Sequence, residues 1–453
     1  EGGENLGRWS IVATNPLWEA VCHGEETTKT WSNGKSETHK GDPFNLLRIW
    51  TEEYKSYSID NLPYVGQLYG SWGYELINRI EPSVPINHIQ HNEIPYGSWM
   101  FFDQIVIFDQ LKRCITAVVY ADISNEDGSS IEKIYEDSIR KINKTRDLMR
   151  SPLKETEFLN WNYKKELNIE IASNWNKKEF EDAVLSAQEY IKKGDIFQIV
   201  ISQRFQSEVK SNPFNLYRSL RMVNPSPYMA FFDFGSWYLI GSSPEVMVKA
   251  QKNKKNQIVA SLRPIAGTRP RGKDAEQDLI FEKDLLKDPK EISEHVMLID
   301  LGRNDLGRVC EIGTVEVKDL MVIEKYSHVM HIVSEVEGIL KSNTGVWDLL
   351  KACFPAGTVT GAPKIRAMQL INNFEKDARG PYAGVYGSID INGALNTAIT
   401  IRTMIVLPSN EGKYMVSVQA GAGIVADSSP SNEYQETINK AKGILMALAC
   451  LKR

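Results

Sequence analysis

The apolar positions change their period along the chain. Near the start they come as short runs of strand length: Trp9-Ser10-Ile11-Val12-Ala13, Ile105-Val106-Ile107-Phe108 and the β-branched stretch Cys114 to Tyr120. Gly70-Ser71-Trp72-Gly73-Tyr74 sets glycines among aromatics, which predicts a turn or a close backbone approach in a sheet. Glu126 to Ser130 predicts a loop, and the charged stretch after it to Met149 a helix. Ser151 to Asn176 is polar and predicts a connector. Phe180, Val184, Ala187 and Ile191 then recur at helical spacing, with Gly194 placed to end the helix. Strands are predicted over Ile196 to Phe205, Tyr228 to Phe234 and Ser236 to Ile240, the last two meeting at a Phe234-Gly235 turn. Residues 280 to 306 read as one helix with charge on one face, and Ala362 to Phe374 as another. Ile389-Asp390 and Leu395 to Val406 read as a hairpin around Asn392-Gly393. Helices and strands alternate irregularly and hairpin signals are frequent. That predicts an α+β fold with antiparallel sheets, not a doubly wound parallel sheet.

Composition narrows the class. The 453 residues, 42% apolar and 25% charged, are those of a globular protein. The length allows about three units or one large composite domain. The pattern divides it into an N-terminal region, 1–150, and a second region, 177–453. Glu1 stands where a Met would begin a chain, so the start reads as truncated. Lys plus Arg is 53 and Asp plus Glu is 58, a net charge of −5, which argues against a general nucleic-acid binder. No apolar run approaches the roughly 18 residues of a membrane span, and the start is not a signal peptide. Five scattered cysteines with no C-x-x-C read as free thiols in a reducing compartment.

Three sets of residues could carry chemistry. Glu291 and Glu294 lie three apart in a helical stretch, and Glu433 and Glu436 repeat the spacing near the end of the chain. Together they could form an all-oxygen site suited to magnesium; the spacing alone is better explained by two solvated helix faces. Glycine-rich strings occur at Pro264–Gly272, Pro355–Lys364 and Gln419–Val425. Glycines admit an anionic ligand close to backbone amides, and they also make tight turns. None is a P-loop, and Gly421-x-Gly423 lacks the third glycine of the dinucleotide fingerprint. His328 and His331 lie three apart, on opposite faces if the segment is a strand, so one at most faces a site. No G-x-S-x-G or H-E-x-x-H is present, which weakens serine hydrolase and zinc protease readings.

The strings themselves are more specific. Pro264–Gly272, Glu294–Asp305, His328–Ser334, Gly357–Met368 and Gln419–Asp427, in this order, resemble the chorismate-utilising enzymes, and among them the anthranilate synthase large subunits. The resemblance is dense from about 180 to 450 and continues more thinly through Gly7–Ser10 and Gly70–Leu76. It implies two antiparallel sheets packed together with helices outside. It implies chorismate as substrate, magnesium held by Glu291, Glu294, Glu433 and Glu436, and a cytoplasmic or plastid-stromal protein. Arg402 matches a clamp on the pyruvyl carboxylate, whose planar fork suits it. Tyr382, Gly421, Gly423 and Lys440 match other substrate contacts, and Thr268 and Thr358 line the same site. His331 matches the histidine of pyruvate loss.

Two positions sort the branches by the same resemblance. Gln198 stands where isochorismate-forming members carry a water-activating lysine, and an amide is no general base. That points to ammonia, supplied by a separate glutamine amidotransferase subunit, since no glutaminase segment is evident here. Ala266 stands where many aminodeoxychorismate synthases carry a nucleophilic lysine, which favours anthranilate and leaves aminodeoxychorismate synthase component I in folate biosynthesis as the alternative. Asn224-Pro225-Ser226-Pro227-Tyr228-Met229 matches one half of the tryptophan-inhibition motif, with Asn224, Pro225, Tyr228 and Met229 as candidate contacts. The other half falls before Glu1.

Overall fold

The computed structural model describes residues 7–451 except 56–61, 63–65, 87–93, 124–127, 153–158, 164–165, 167–168 and 327–328. His328 and part of the loop expected at Glu126 to Ser130 therefore lie outside the described residues.

Two large antiparallel sheets organise the chain. The smaller runs Tyr228–Asp233, Tyr238–Ser243, Thr403–Pro408, Tyr414–Ile424, Gln198–Val209, Gly361–Ala362, with Ala172–Ser173 also against Gln198–Val209. The larger runs Ile265–Pro270, Val329–Ile339, Ile258–Leu262, Val246–Lys252, Leu395–Ile399, Val385–Ile389, Leu68–Trp72, Gly97–Phe101, Trp18–His23, Glu26–Trp31, Ser36–Lys40. Glu316–Lys325 also pairs with Val329–Ile339. The expected N-terminal and second regions thus share this sheet, meeting where Leu68–Trp72 pairs with Val385–Ile389. A third, small sheet joins Trp9–Ala13, Gln104–Asp109 and Cys114–Val119.

The two large sheets pack through Trp237, Leu239 and Ile405 of one against Tyr386 and Ala398 of the other. Helices cover the outside. Lys177–Lys192 and Lys364–Phe374 bury Phe180, Val184, Leu370 and Ile371 against Ile199 and Ile201. Pro430–Ala449 buries Ile444, Leu445 and Leu448 against Val416 and Val418. Gly194 ends the first of these helices with φ +81°, in the left-handed region where only glycine is unstrained. Gly70 gives the close approach its aromatic setting suggests: a Cβ there would lie 2.2 Å from the Ser98 carbonyl oxygen.

Three expected elements differ. The helix over 280 to 306 is two helices, Ala275–Leu285 and Pro289–Val309. Asp288 caps the second through the amides of Lys290 and Glu291, and Pro289 sits at its first position, so the charged pattern hides a restart. The strand expected at Ser236 to Ile240 is Tyr238–Ser243. The strand read over Leu395 to Val406 is also two, Leu395–Ile399 in the larger sheet and Thr403–Pro408 in the smaller. Arg402, at φ +49°, turns the corner between them. The apolar run continues through the corner because both halves are buried, so periodicity could not reveal it.

Candidate active site

At two places a strand of one large sheet leads, within a few residues, straight into a strand of the other. One crossing is Pro244-Glu245, between Tyr238–Ser243 and Val246–Lys252; the other is Thr400-Ile401-Arg402. They lie side by side: Ile399 N donates to Glu245 O at 3.1 Å and Ser242 N to Arg402 O at 3.1 Å. Each carries an ionisable side chain that burial perturbs. Burial pushes the Glu245 carboxyl up to about 7, held back by the Thr358 hydroxyl and the Lys440 ammonium. Burial alone lowers Arg402, and among the described residues no carboxylate pairs with it.

His331 stands near Arg402, whose charge adds to the burial that depresses the imidazole; burial is the larger effect. The His331 ring nitrogen Nδ1 lies 2.8 Å from the Gly267 carbonyl oxygen. A carbonyl can only accept, so Nδ1 carries the proton and Nε2 is the nitrogen left to a ligand. The Thr268 hydroxyl is 3.2 Å from the same Nδ1.

The glycine-rich strand Tyr414–Ile424 lies against Gln198–Val209 with Gly423 opposite Val200 and Gly421 opposite Ser202. A Cβ at Gly423 would sit 2.7 Å from the Gln198 amide nitrogen, and one at Gly421 2.7 Å from the Tyr382 hydroxyl. Both glycines are there because Gln198 and Tyr382 occupy the space a side chain would need. Lys440 Nζ donates to the Gly421 carbonyl at 3.0 Å.

The four glutamates stand in the first two turns of Pro289–Val309 and Pro430–Ala449. Burial pushes Glu291 up, and the neighbouring Glu294 adds to it; Glu433 is pushed up by burial and by Glu436. Lys290 acts on Glu433, so the two helix starts face one another. Such a set fits a hard divalent cation chemically, since a bound cation relieves both the desolvation and the mutual repulsion. Each pair meanwhile has a protein partner: Glu291 has Arg269 at 3.5 Å, Glu294 accepts from Gln198 Nε2 at 3.2 Å, and Glu436 pairs with Lys440 at 2.7 Å. Among the described residues no three His, Cys, Asp or Glu side chains stand together as a finished metal site.

Behind this cleft lies a buried charge network that the sequence reading missed. Arg379 is 3% exposed and Glu375 4%. The Arg379 guanidinium donates to Glu375 at 2.6 and 2.8 Å and to the Val359 and Val200 carbonyls, each at 2.8 Å. It also lies over the rings of Tyr74 and Tyr382. Glu75 accepts from the amides of Arg379 and Gly380. Its only signal in the sequence is a carboxylate among the aromatics of Gly70–Leu76. Glu245 was missed as well; a lone acid within the apolar stretch Trp237–Val248 was the available clue.

The segment Asn224 to Met229 lies on the far side of the Tyr238–Ser243 strand. Ser242 Oγ donates to the Asn224 carbonyl at 2.5 Å, and the Tyr386 hydroxyl to the Tyr228 carbonyl at 2.7 Å. Pro225 is exposed, and Met229 is partly buried against the core of the smaller sheet.

Comparison with known proteins agrees with this arrangement. The profile of the family described as chorismate binding enzyme matches residues 7–446. Anthranilate synthase component 1 of Synechocystis sp. is 51% identical over 456 residues, spanning 100% of this chain and 90% of its own. That of Acetivibrio thermocellus is 43% identical, spanning 99% of this chain and 88% of its own. The crystal structure of anthranilate synthase component I from Streptococcus pneumoniae superposes with a TM-score of 0.82 at 36% identity, covering 97% of this chain and 92% of that one.

Proposed function

The chain belongs to the chorismate binding enzyme family, and from that premise we propose that it is the chorismate-converting component of an anthranilate synthase. It joins chorismate and ammonia to give anthranilate and pyruvate, the entry to tryptophan biosynthesis. The observation that carries this reading lies at the sheet crossings: a desolvated Arg402 with no carboxylate of its own among the described residues, close enough to His331 to act on it, and on the adjoining crossing a half-buried acid, Glu245. An unpaired buried guanidinium is costly unless a ligand's carboxylate completes it. Chorismate carries such a carboxylate on its enolpyruvyl arm.

The residues divide the work by chemistry. Arg402 binds the pyruvyl carboxylate, and the Gly421 and Gly423 backbone lets the ring approach beside Tyr382. Ammonia attacks the ring carbon next to the carboxylated one; both ring double bonds shift by one position, the hydroxyl departs as water with a proton from the acid, and the new ammonium group gives up a proton. Glu245 suits the departure of water, because a carboxyl titrating near 7 holds a proton to give at neutral pH. Neutral Gln198 cannot make water a nucleophile by taking its proton, which leaves the position to ammonia. In the second step the proton on the amine-bearing carbon is removed and the enolpyruvyl ether bond breaks, forming the aromatic ring and pyruvate. His331 Nε2 is the base within the site.

Glu291, Glu294, Glu433 and Glu436 would hold magnesium, which supplies charge neutralisation for the ring carboxylate and the departing oxygen. The ammonia source is a separate glutamine amidotransferase subunit. Tryptophan is the proposed inhibitor. In support, Ser242 links the candidate segment to the site: its hydroxyl donates to the Asn224 carbonyl and its amide to the Arg402 carbonyl. Five scattered cysteine thiols suit the cytoplasm or a plastid stroma.

The test is product identification after incubation with chorismate, a magnesium salt and an ammonium salt. Fluorescent anthranilate with stoichiometric pyruvate is expected. A 4-amino-4-deoxychorismate product without pyruvate would overturn the anthranilate reading and favour the alternative branch, and isochorismate formed without ammonium would overturn the choice of nucleophile.

A further inference from the structure

Glu316–Lys325 pairs with Val329–Ile339 so that Glu324 lies opposite His331. Directly opposed side chains share a face of the sheet about 5 Å apart. Tyr326, the residue after Lys325, sets its ring edge-on to the imidazole, with centroids 5.6 Å apart and planes at 62°. Its hydroxyl donates to Glu324 Oε2 at 2.8 Å. Glu324 is held from the other side by Arg263. The Tyr326 backbone is fixed too: Arg271 Nη1 donates to its carbonyl at 2.6 Å, and Arg271 is locked to Asp278 at 2.7 Å. Nothing in the proposed chemistry uses Tyr326, Glu324 or Arg263, yet Tyr326 and Glu324 both flank the imidazole and Arg263 holds Glu324.

The imidazole needs that support. The contacts to Gly267 and Thr268 both fall on Nδ1, so they fix one atom of the ring and leave its plane free to rock about that point. An aromatic edge on one flank and a carboxylate held on the same sheet face remove that freedom.

We propose that Tyr326 is a positioning residue for His331: its ring sets the imidazole plane, and its hydroxyl holds Glu324 where the carboxylate supports the basicity of Nε2. Tyr326 touches no reacting atom and acts only through His331. The inference rests on the reading in which His331 removes the proton during pyruvate loss. Its effect belongs to the second step alone, because amination depends on the nucleophile, the acid and the metal site.

Tyr326→Phe keeps the ring and deletes the hydroxyl; Tyr326→Leu deletes both. Each variant is compared with the unmodified chain under saturating magnesium and ammonium salts, with chorismate loss, anthranilate, pyruvate and any non-aromatic amino product measured by chromatography. Thermal melts establish that the variants fold. The Phe variant should make anthranilate roughly tenfold more slowly, the scale of one hydrogen bond to a charged group, while chorismate KM stays within about twofold and the amino intermediate is released. The Leu variant should release more of it. Folded variants that keep the normal product ratio would overturn the proposal, as would equal slowing of chorismate loss and anthranilate formation, which is what a structural role produces. An unmodified chain that gives no anthranilate and pyruvate fails the parent reading instead, and the proposal with it.

Discussion

The Ser242 amide donates to the Arg402 carbonyl at 3.1 Å, and this bond fastens one sheet crossing to the strand that leads into the other. It holds Arg402 in a left-handed conformation, φ +49°, that a side-chain-bearing residue adopts only when its surroundings impose it. The guanidinium is desolvated and has no carboxylate partner among the described residues. Arg402→Lys keeps the charge and loses the planar fork. Chorismate KM should rise about 10- to 100-fold, the range of a charge-assisted bidentate contact, with kcat changed less. Initial rates of anthranilate fluorescence across chorismate concentrations check this, and an unchanged KM would remove Arg402 from the binding site.

Glu245 should give the reaction its alkaline limb. The carboxyl is raised from 4.5 to about 7 by burial, so its proton is present below that pH and lost as pH rises through it. The kcat should therefore fall above neutrality. Glu245→Gln should lower kcat about 10²- to 10⁴-fold, as for loss of a general acid, and flatten that limb. The same shift has a stability consequence of definite sign. A carboxyl raised in the folded state stabilises below about 4.5, and the contribution disappears as pH climbs through 7. Urea melts of the Gln variant should lack that component.

Glu294→Gln and Glu436→Gln should each abolish magnesium-dependent turnover while leaving the fold intact. Each removes one carboxylate from a set that already carries mutual repulsion, so the fold has little to lose. Two readouts are needed: turnover against magnesium concentration, and the rise in melting temperature on adding magnesium without substrate. Full activity at low magnesium in either variant contradicts the assignment.

His331→Met should slow elimination more than amination. With ammonium supplied directly, the variant should release aminodeoxyisochorismate in place of anthranilate, and pyruvate should fall in step with anthranilate. Normal anthranilate output would remove His331 from the second step.

The buried pair Glu375 and Arg379 carries a stability prediction. Arg379→Ala leaves Glu375 charged, buried and unpaired, at a cost of about 3–5 kcal/mol. Replacing both, as Arg379→Met with Glu375→Leu, should cost less than the single change, since the unpaired charge is gone. Urea midpoints of the two variants decide it.

Local pattern was enough for much of this protein. The helix Lys177–Lys192 and its glycine stop follow from a 3.6-residue period, and the hairpin at Asn392-Gly393 from turn chemistry; both depend on neighbouring residues only. The strings that identify the family also lie in sequence, as did His331, Arg402 and the glutamate pairs as candidates. What the sequence could not contain was the crossing of the sheets. A buried run looks the same whether it stays in one sheet or turns a corner into another, so the Leu395 to Val406 segment hid the bend at Arg402. The roles of Glu245 and Arg379 could not be read for a related reason. Their significance comes from burial and from partners such as Glu75, 304 residues away from Arg379 along the chain. Desolvation and the field of distant charges exist only once tertiary structure has excluded water, and it is these that turn an ordinary carboxylate into an acid that keeps its proton near pH 7.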